Sequence, residues 1–186
     1  MRIFSVITTL LVAAFITIVP AQADVQEKRA HVRFAAAEVL ANLYEAQPSA
    51  RHAVEAAAGH AVFSNFGLKI LVAGGGTGKG LAVHHATGRE TFMKMVEVQA
   101  GLGFGVKRFG VVFVFENEDA LTRFIDSGWE FGGQATAAAK YGEQGGALDG
   151  AISVSPGVWM FQVTQDGLAA ELVVKGTKYL KDADLN

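Results

Sequence analysis

The glycines constrain this chain more than any other feature. There are 22 of them in 186 residues, and they cluster instead of repeating at a fixed period. That excludes collagen-like and low-complexity disordered readings. One cluster is Gly74-Gly75-Gly76-Thr77-Gly78-Lys79-Gly80, followed by Leu81-Ala82-Val83-His84-His85. A second places Gly101, Gly103 and Gly105 two residues apart, on one face of an extended segment. A strand face without Cβ atoms lets a helix or another strand pack closely and lets a sheet curve sharply. A phosphate-binding loop is the competing reading, and it fails on chemistry. Aligned on Gly78-Lys79, the P-loop pattern puts Ala73 at its first glycine and Gly80 where the Mg²⁺-binding hydroxyl belongs, and the segment that follows reads as strand, not helix. The dinucleotide fingerprint is unmet at either cluster.

The N-terminus is patterned for export. Met1-Arg2 is a short positive start, Ile3 to Val19 is uncharged and mostly apolar, and Ala21-Gln22-Ala23 supplies small residues before the polar Asp24. This is the three-part form of a cleaved signal peptide, residues 1–23. Residues 24–186 then suit one domain with a sizeable core. Their net charge is about −3, which argues against a general nucleic-acid binder. There is no cysteine, so disulfides, thiolate metal sites, a cysteine nucleophile and a covalent lipid anchor on an N-terminal cysteine are all excluded.

Helical spacing predicts a first helix over 26–46, with Val32, Ala36, Val39, Leu40 and Leu43 on one stripe. Phe34, Ala37, Ala41 and Tyr44 leave it apolar round much of its girth, as in a sandwiched helix or one that meets lipid or a partner. Ser49 is expected to cap a short helix over Ala50–Ala58, with Gly59 as its left-handed end. Strands are expected at 61–63, 68–72, 81–85, 92–99 and 111–115. Asn117-Glu118-Asp119 starts a helix that carries Ala120, Leu121, Phe124 and Ile125 inward and ends at Gly128. Further strands are expected at 131–139, 151–155, 158–164 and 168–175, with Gln165-Asp166-Gly167 as a hairpin turn. Lys178 to Asn186 reads as a short polar tail. The fold class that follows is α+β: N-terminal helices on a glycine-rich, mainly antiparallel, strongly curved or barrel-like sheet.

Catalytic and metal motifs are absent from the sequence pattern. There is no G-x-S-x-G and no H-E-x-x-H. His84 and His85, as strand neighbours, point to opposite faces and cannot readily share one ion. The acids Glu116, Glu118 and Asp119 are accounted for by a helix N-terminus. The expectation is therefore a protein that is not an enzyme and carries no cofactor and no metal.

The ordered pieces resemble the SYLF domain family. Ser49-Ala50-Arg51 through Gly59-His60-Ala61-Val62-Phe63 is similar to its entry helix and A-x-G-x-A-V-F step. The segments 74–80 and Val98-Gln99-Ala100-Gly101-Leu102-Gly103-Phe104-Gly105 resemble its two glycine-rich stretches. Val111-Val112-Phe113-Val114 before Ala120-Leu121 and Phe124, then Trp129 to Ala135, then Asp166-Gly167-Leu168, follow in the family's order. The resemblance covers nearly all of residues 24–186. It implies a single phospholipid-binding domain, exported to the bacterial periplasm or beyond, with a phospholipid or membrane surface as partner. The residues expected to meet anionic headgroups are Lys69, Lys79, Lys107 and Arg108, with Lys28, Arg29 and Arg33 of the first helix as a second patch. The alternative is a periplasmic structural or protein-interaction module with no lipid ligand.

Overall fold

The structure, a computed structural model, describes residues 20–70, 73–100, 105–131, 150–164, 167–168 and 177–186. Helix α1 (Pro20–Ala46) is followed by α2 (Ser49–Ala56). Four long strands come next: β1 (Gly59–Ile70), β2 (Ala73–His84), β3 (Arg89–Ala100) and β4 (Gly105–Phe115). Helix α3 (Glu118–Ser127) leads to β5 (Trp129–Phe131). Then come β6 (Ile152–Ser155), β7 (Val158–Thr164), β8 (Gly167–Leu168) and β9 (Thr177–Lys181). The strands make one antiparallel sheet in the order β5-β9-β3-β2-β1-β4-β7-β6, with β8 on β7. The sheet is strongly curved into a half-barrel with the N-terminal helix packed on it, so the α+β expectation holds.

Alternation along the central strands fills both faces. On β1, Val62 faces one core and Phe63 the other; on β4, Val112 and Val114 oppose Val111, Phe113 and Phe115. The inner core wraps α3 and is aromatic. The Phe63 and Phe113 rings each meet Tyr179 edge-on, at 4.8 and 5.0 Å between centroids, and Phe124 lies 5.0 Å from Phe115. Such pairs contribute about 0.5–1.5 kcal/mol each beyond their buried area. On the outer face, Val32, Ala36, Val39 and Leu43 of α1 bury against Val62, Leu81, Phe92, Val112, Val114 and Phe161. The opposite side of α1 is open: Phe34 is 65% exposed, so among the described residues this helix is covered on one face, not sandwiched.

Two described glycines make the close approaches expected of a bare strand face, while Gly101 and Gly103 lie outside the described residues. A Cβ on Gly80 would lie 2.3 Å from the Phe63 ring, so the bare backbone is what lets β2 curve over that ring. A Cβ on Gly110 would lie 2.4 Å from Val39 Cγ1, so this glycine seats α1 on β4.

Several local expectations are corrected. Ser49 is the first residue of α2 and not its cap; its Oγ accepts from Gln47 Nε2 at 2.8 Å instead. Gly59 does not end α2 but opens β1, where a Cβ would meet Val83 O and Leu121 Cδ2. The runs expected at 61–63 and 68–72 join in one strand, because polar Ser64 and Asn65 are carried through by continuous pairing with β2 and β4; residues 71–72 lie outside the described residues. The expected strand 131–139 begins earlier, at Trp129, and its remainder from 132 lies outside the described residues, as do 165–166 and 169–176. The polar tail is not a tail. Residues 177–181 form β9, inserted between β3 and β5 with Thr177 and Tyr179 buried. Helix α3 is as expected, with Asn117 Oδ1 accepting from Ala120 N at 2.9 Å and Gly128 at φ 69°.

Gly110→Ala should destabilise the fold by about 1–3 kcal/mol, because stiff, β-branched Val39 has little room to yield. Urea denaturation reads this directly, and an unchanged midpoint would show that α1 is not seated there.

Candidate functional site

The seven cations singled out from the sequence fall into three places. Lys69, Lys107 and Arg108 sit where the long hairpins end. Lys69 pairs with Gly74 and Gly105, Lys107 with Gly67, and Arg108 with Phe66. Their backbones are thus within a few residues of one another at one end of the sheet; their side chains lie outside the described residues.

Lys28, Arg29 and Arg33 lie in the third and fourth turns of α1 and have partners within the chain. Lys28 Nζ pairs with Asp24 at 2.5 Å, and that hydrogen bond raises the lysine's pKa above its ordinary value. Arg29 Nε donates to the Leu185 carbonyl at 2.8 Å. Arg33 reaches Glu90 Oε2 at 2.7 Å. Both guanidinium groups lie over the Phe92 ring, 5.5 and 5.1 Å from its centre. A cation above an aromatic face is worth about 0.5–1 kcal/mol at an exposed site. Arg29 and Arg33 therefore fasten α1 to β3, while the Lys28 pair lies within the helix.

Lys79 joins a structure that sequence reasoning missed. Its ammonium bonds the Asp182 carboxylate, which is wholly buried. Burial by itself pushes that carboxyl up, but the Lys79 hydrogen bond and charge, the Asp184 amide and the charge of Lys94 outweigh it and hold Asp182 below its usual value. Asp182 N and Asn186 Nδ2 donate to the Phe92 carbonyl at 3.0 and 2.7 Å, while Asn186 Oδ1 accepts from Phe92 N at 3.0 Å. Leu185 is buried beneath α1. The last five residues thus clasp β3 at Phe92, beyond its pairing with β9, and hold α1 through Arg29. The available signal was the alternation Thr177-Lys178-Tyr179 and, further on, an apolar Leu185 set among turn-forming Asp and Asn.

At the other end of the sheet the histidines diverge. His85 Nδ1 meets the Ala57 carbonyl at 2.8 Å, so it donates, and His85 Nε2 must then accept from His60 Nδ1 at 2.7 Å. His84 Nε2 lies 3.7 Å from Glu118 Oε1. Among the described residues no three His, Asp or Glu side chains converge as metal ligands. Burial and the neighbouring His85 lower the His60 pKa to about 4. A histidine whose folded pKa lies below its unfolded value of 6.5 stabilises the fold while neutral. That stability is present above pH 6.5 and is lost as the pH falls toward 4. The loss should approach about 3 kcal/mol, and a pH series of denaturant midpoints measures it. His60→Gln should flatten the series between pH 6.5 and 4.

The fold and these contacts define an α+β half-barrel clamped to one long helix, with basic residues at the hairpin end and on the helix. Residues 96–186 match the family model described as "Ysc84: Las17-binding protein actin regulator". The chain is also similar to Beta cell expansion factor A of Aeromonas veronii, 29% identical over 160 residues, which is 86% of this chain and 59% of that protein's length. The chain thus spans about three fifths of the curated relative it matches. Both matches agree with the resemblance of its motifs to the SYLF family.

Proposed function

We propose that this chain is an exported phospholipid-binding domain of the bacterial cell envelope, which acts by contact with anionic headgroups and not by catalysis. The observation that carries the reading is the composition of the hairpin end. Segments 65–75 and 98–110 hold Lys69, Lys107 and Arg108 with no acidic residue, among Phe66, Leu68, Ile70, Val98, Val106 and Phe109. Strand pairing brings the two segments side by side, with Ile70 opposite Ala73, Ala73 opposite Ala100, and Lys69 opposite Gly105. Cations interleaved with apolar residues suit the boundary between headgroups and acyl chains. The apolar leader supports export. No helix among the described residues is long and apolar enough to cross a membrane. Contact in this reading is therefore made by the folded surface.

Each lysine or arginine near an anionic surface contributes about 1 kcal/mol. Lys107→Gln with Arg108→Gln should therefore weaken flotation with phosphatidylglycerol vesicles by about thirtyfold at low salt, and leave binding to phosphatidylcholine vesicles unchanged. Failure of the unaltered protein to float with either vesicle would sink the proposal. The family description names a protein-binding activity, and this favours a second reading as a protein-interaction module. A partner recovered with the quadruple of cations at 69, 79, 107 and 108 replaced by glutamine, under conditions where vesicle binding is absent, would favour that second reading.

A further inference from the structure

The outer face of the sheet is covered by α1 and the C-terminal clasp only as far as the row Leu81–Phe92–Asp182. Beyond it, two rows lie open. Directly paired residues of antiparallel strands share a face. The first row is therefore Lys79, Lys94 and Leu180, and the second is Thr77, Val96, Lys178 and Glu130. Val96 is 41% and Leu180 39% exposed; with Phe34 they are the exposed large hydrophobics among the described residues. They are diagonal neighbours, flanked by three lysines. Lys178 pairs with Glu130 at 3.0 Å and Lys79 with buried Asp182, while Lys94 has no hydrogen bond or ion pair among the contacts seen. The rows run on toward the hairpin end, where Lys69, Lys107 and Arg108 stand. The two rows and the clasp beside them hold three lysines, Lys79, Lys94 and Lys178, against two acids, Glu130 and Asp182, in a chain whose net charge is −2.

We propose that the open outer face of β2, β3 and β9 is a second docking surface for an anionic lipid bilayer. Lys94 and Lys178 contact headgroups, and Val96 and Leu180 enter the interface between them. The inference rests on the lipid-binding reading and extends it from the hairpin end to a face the sequence did not single out. Charge complementarity selects the occupant. A second copy of the chain would bring lysines against lysines, whereas an anionic lipid surface neutralises them and accepts the two aliphatic side chains.

The chain has no cysteine, so single-cysteine probes report position without background. An environment-sensitive dye on Val96→Cys should shift to the blue on phosphatidylglycerol vesicles, while the same dye on Thr122→Cys, on the exposed side of α3, stays unshifted. Lys94→Gln with Lys178→Gln, and separately Val96→Ser with Leu180→Ser, should each lower vesicle partitioning by about tenfold. The charge pair should lose its effect at high salt and the apolar pair should keep it. A silent Val96 probe with partitioning unchanged in both double variants would overturn the inference while leaving lipid binding at the hairpin end intact. Failure of the unaltered protein to bind would overturn both. These side chains are exposed, so circular dichroism of each variant should match the parent. If a variant does unfold, the dye result decides alone.

Discussion

The pairing of β1 with β4 is the constraint on which the rest depends. Over 61–63 and 111–115 both strands are buried on both faces, so each must supply apolar side chains in both directions at once: Val62 and Phe63 on one, Val111 through Phe115 on the other. A sheet with two buried faces needs two covers. The inner cover is α3 with the aromatic cluster, made possible by curvature; the outer cover is α1. Everything else follows from how far each cover reaches. Small residues on β2, with Gly80 against Phe63 and Ala82 buried beside it, let the sheet close around α3. The outer face bends away from a straight helix, so α1 covers part of it and leaves the rest open.

The helix is held on that curved face by more than packing. Its polar N-terminal turns would otherwise end over β3 with little apolar contact. Arg29 and Arg33 solve this by laying their guanidinium planes over Phe92 while their polar ends reach the Leu185 carbonyl and Glu90. The clasp of residues 182–186 completes the joint, bonding both the amide and the carbonyl of Phe92. The cations of α1 are therefore structural in their described contacts, which shifts the weight of the functional reading to the hairpin end and the open rows of the sheet.

Much of the architecture was legible because it is written in local periodicity. The stripe Val32–Ala36–Val39–Leu43, the Asn117 cap and the Gly128 stop each depend on neighbours within a few positions. The glycine spacing disclosed a close approach, though not which partner would make it. What failed to show were features decided across the sheet. Gly59 looks like a helix end, but Leu121, 62 residues away, is what requires it. Residues 177–186 look like a polar tail because β9 alternates for only five residues, and the value of Asp182 and Asn186 lies in bonds to Phe92 and Lys79. The cations at 69, 107 and 108 could be listed from the sequence, but their adjacency is a product of register.

The open rows pose the sharper physical question. Lys79 and Lys94 stand directly opposite one another, an arrangement that destabilises a sheet when nothing intervenes. Asp182 intervenes. It is buried, kept ionised by Lys79 and felt by Lys94, so a single carboxylate from the clasp screens both ammonium groups. A sheet selected for stability alone would replace one lysine and let the carboxylate go, since burying a charge is expensive unless it is well paired. It would also put polar residues at Val96 and Leu180, which now show about two fifths of their surface to water. Both departures lie on the same face, beside the same hairpin end, and the proposed lipid surface would relieve both, bringing negative charge to the lysines and removing the aliphatic side chains from water. The clasp then has two tasks, fastening α1 to β3 and holding the lysines in place in the absence of that surface.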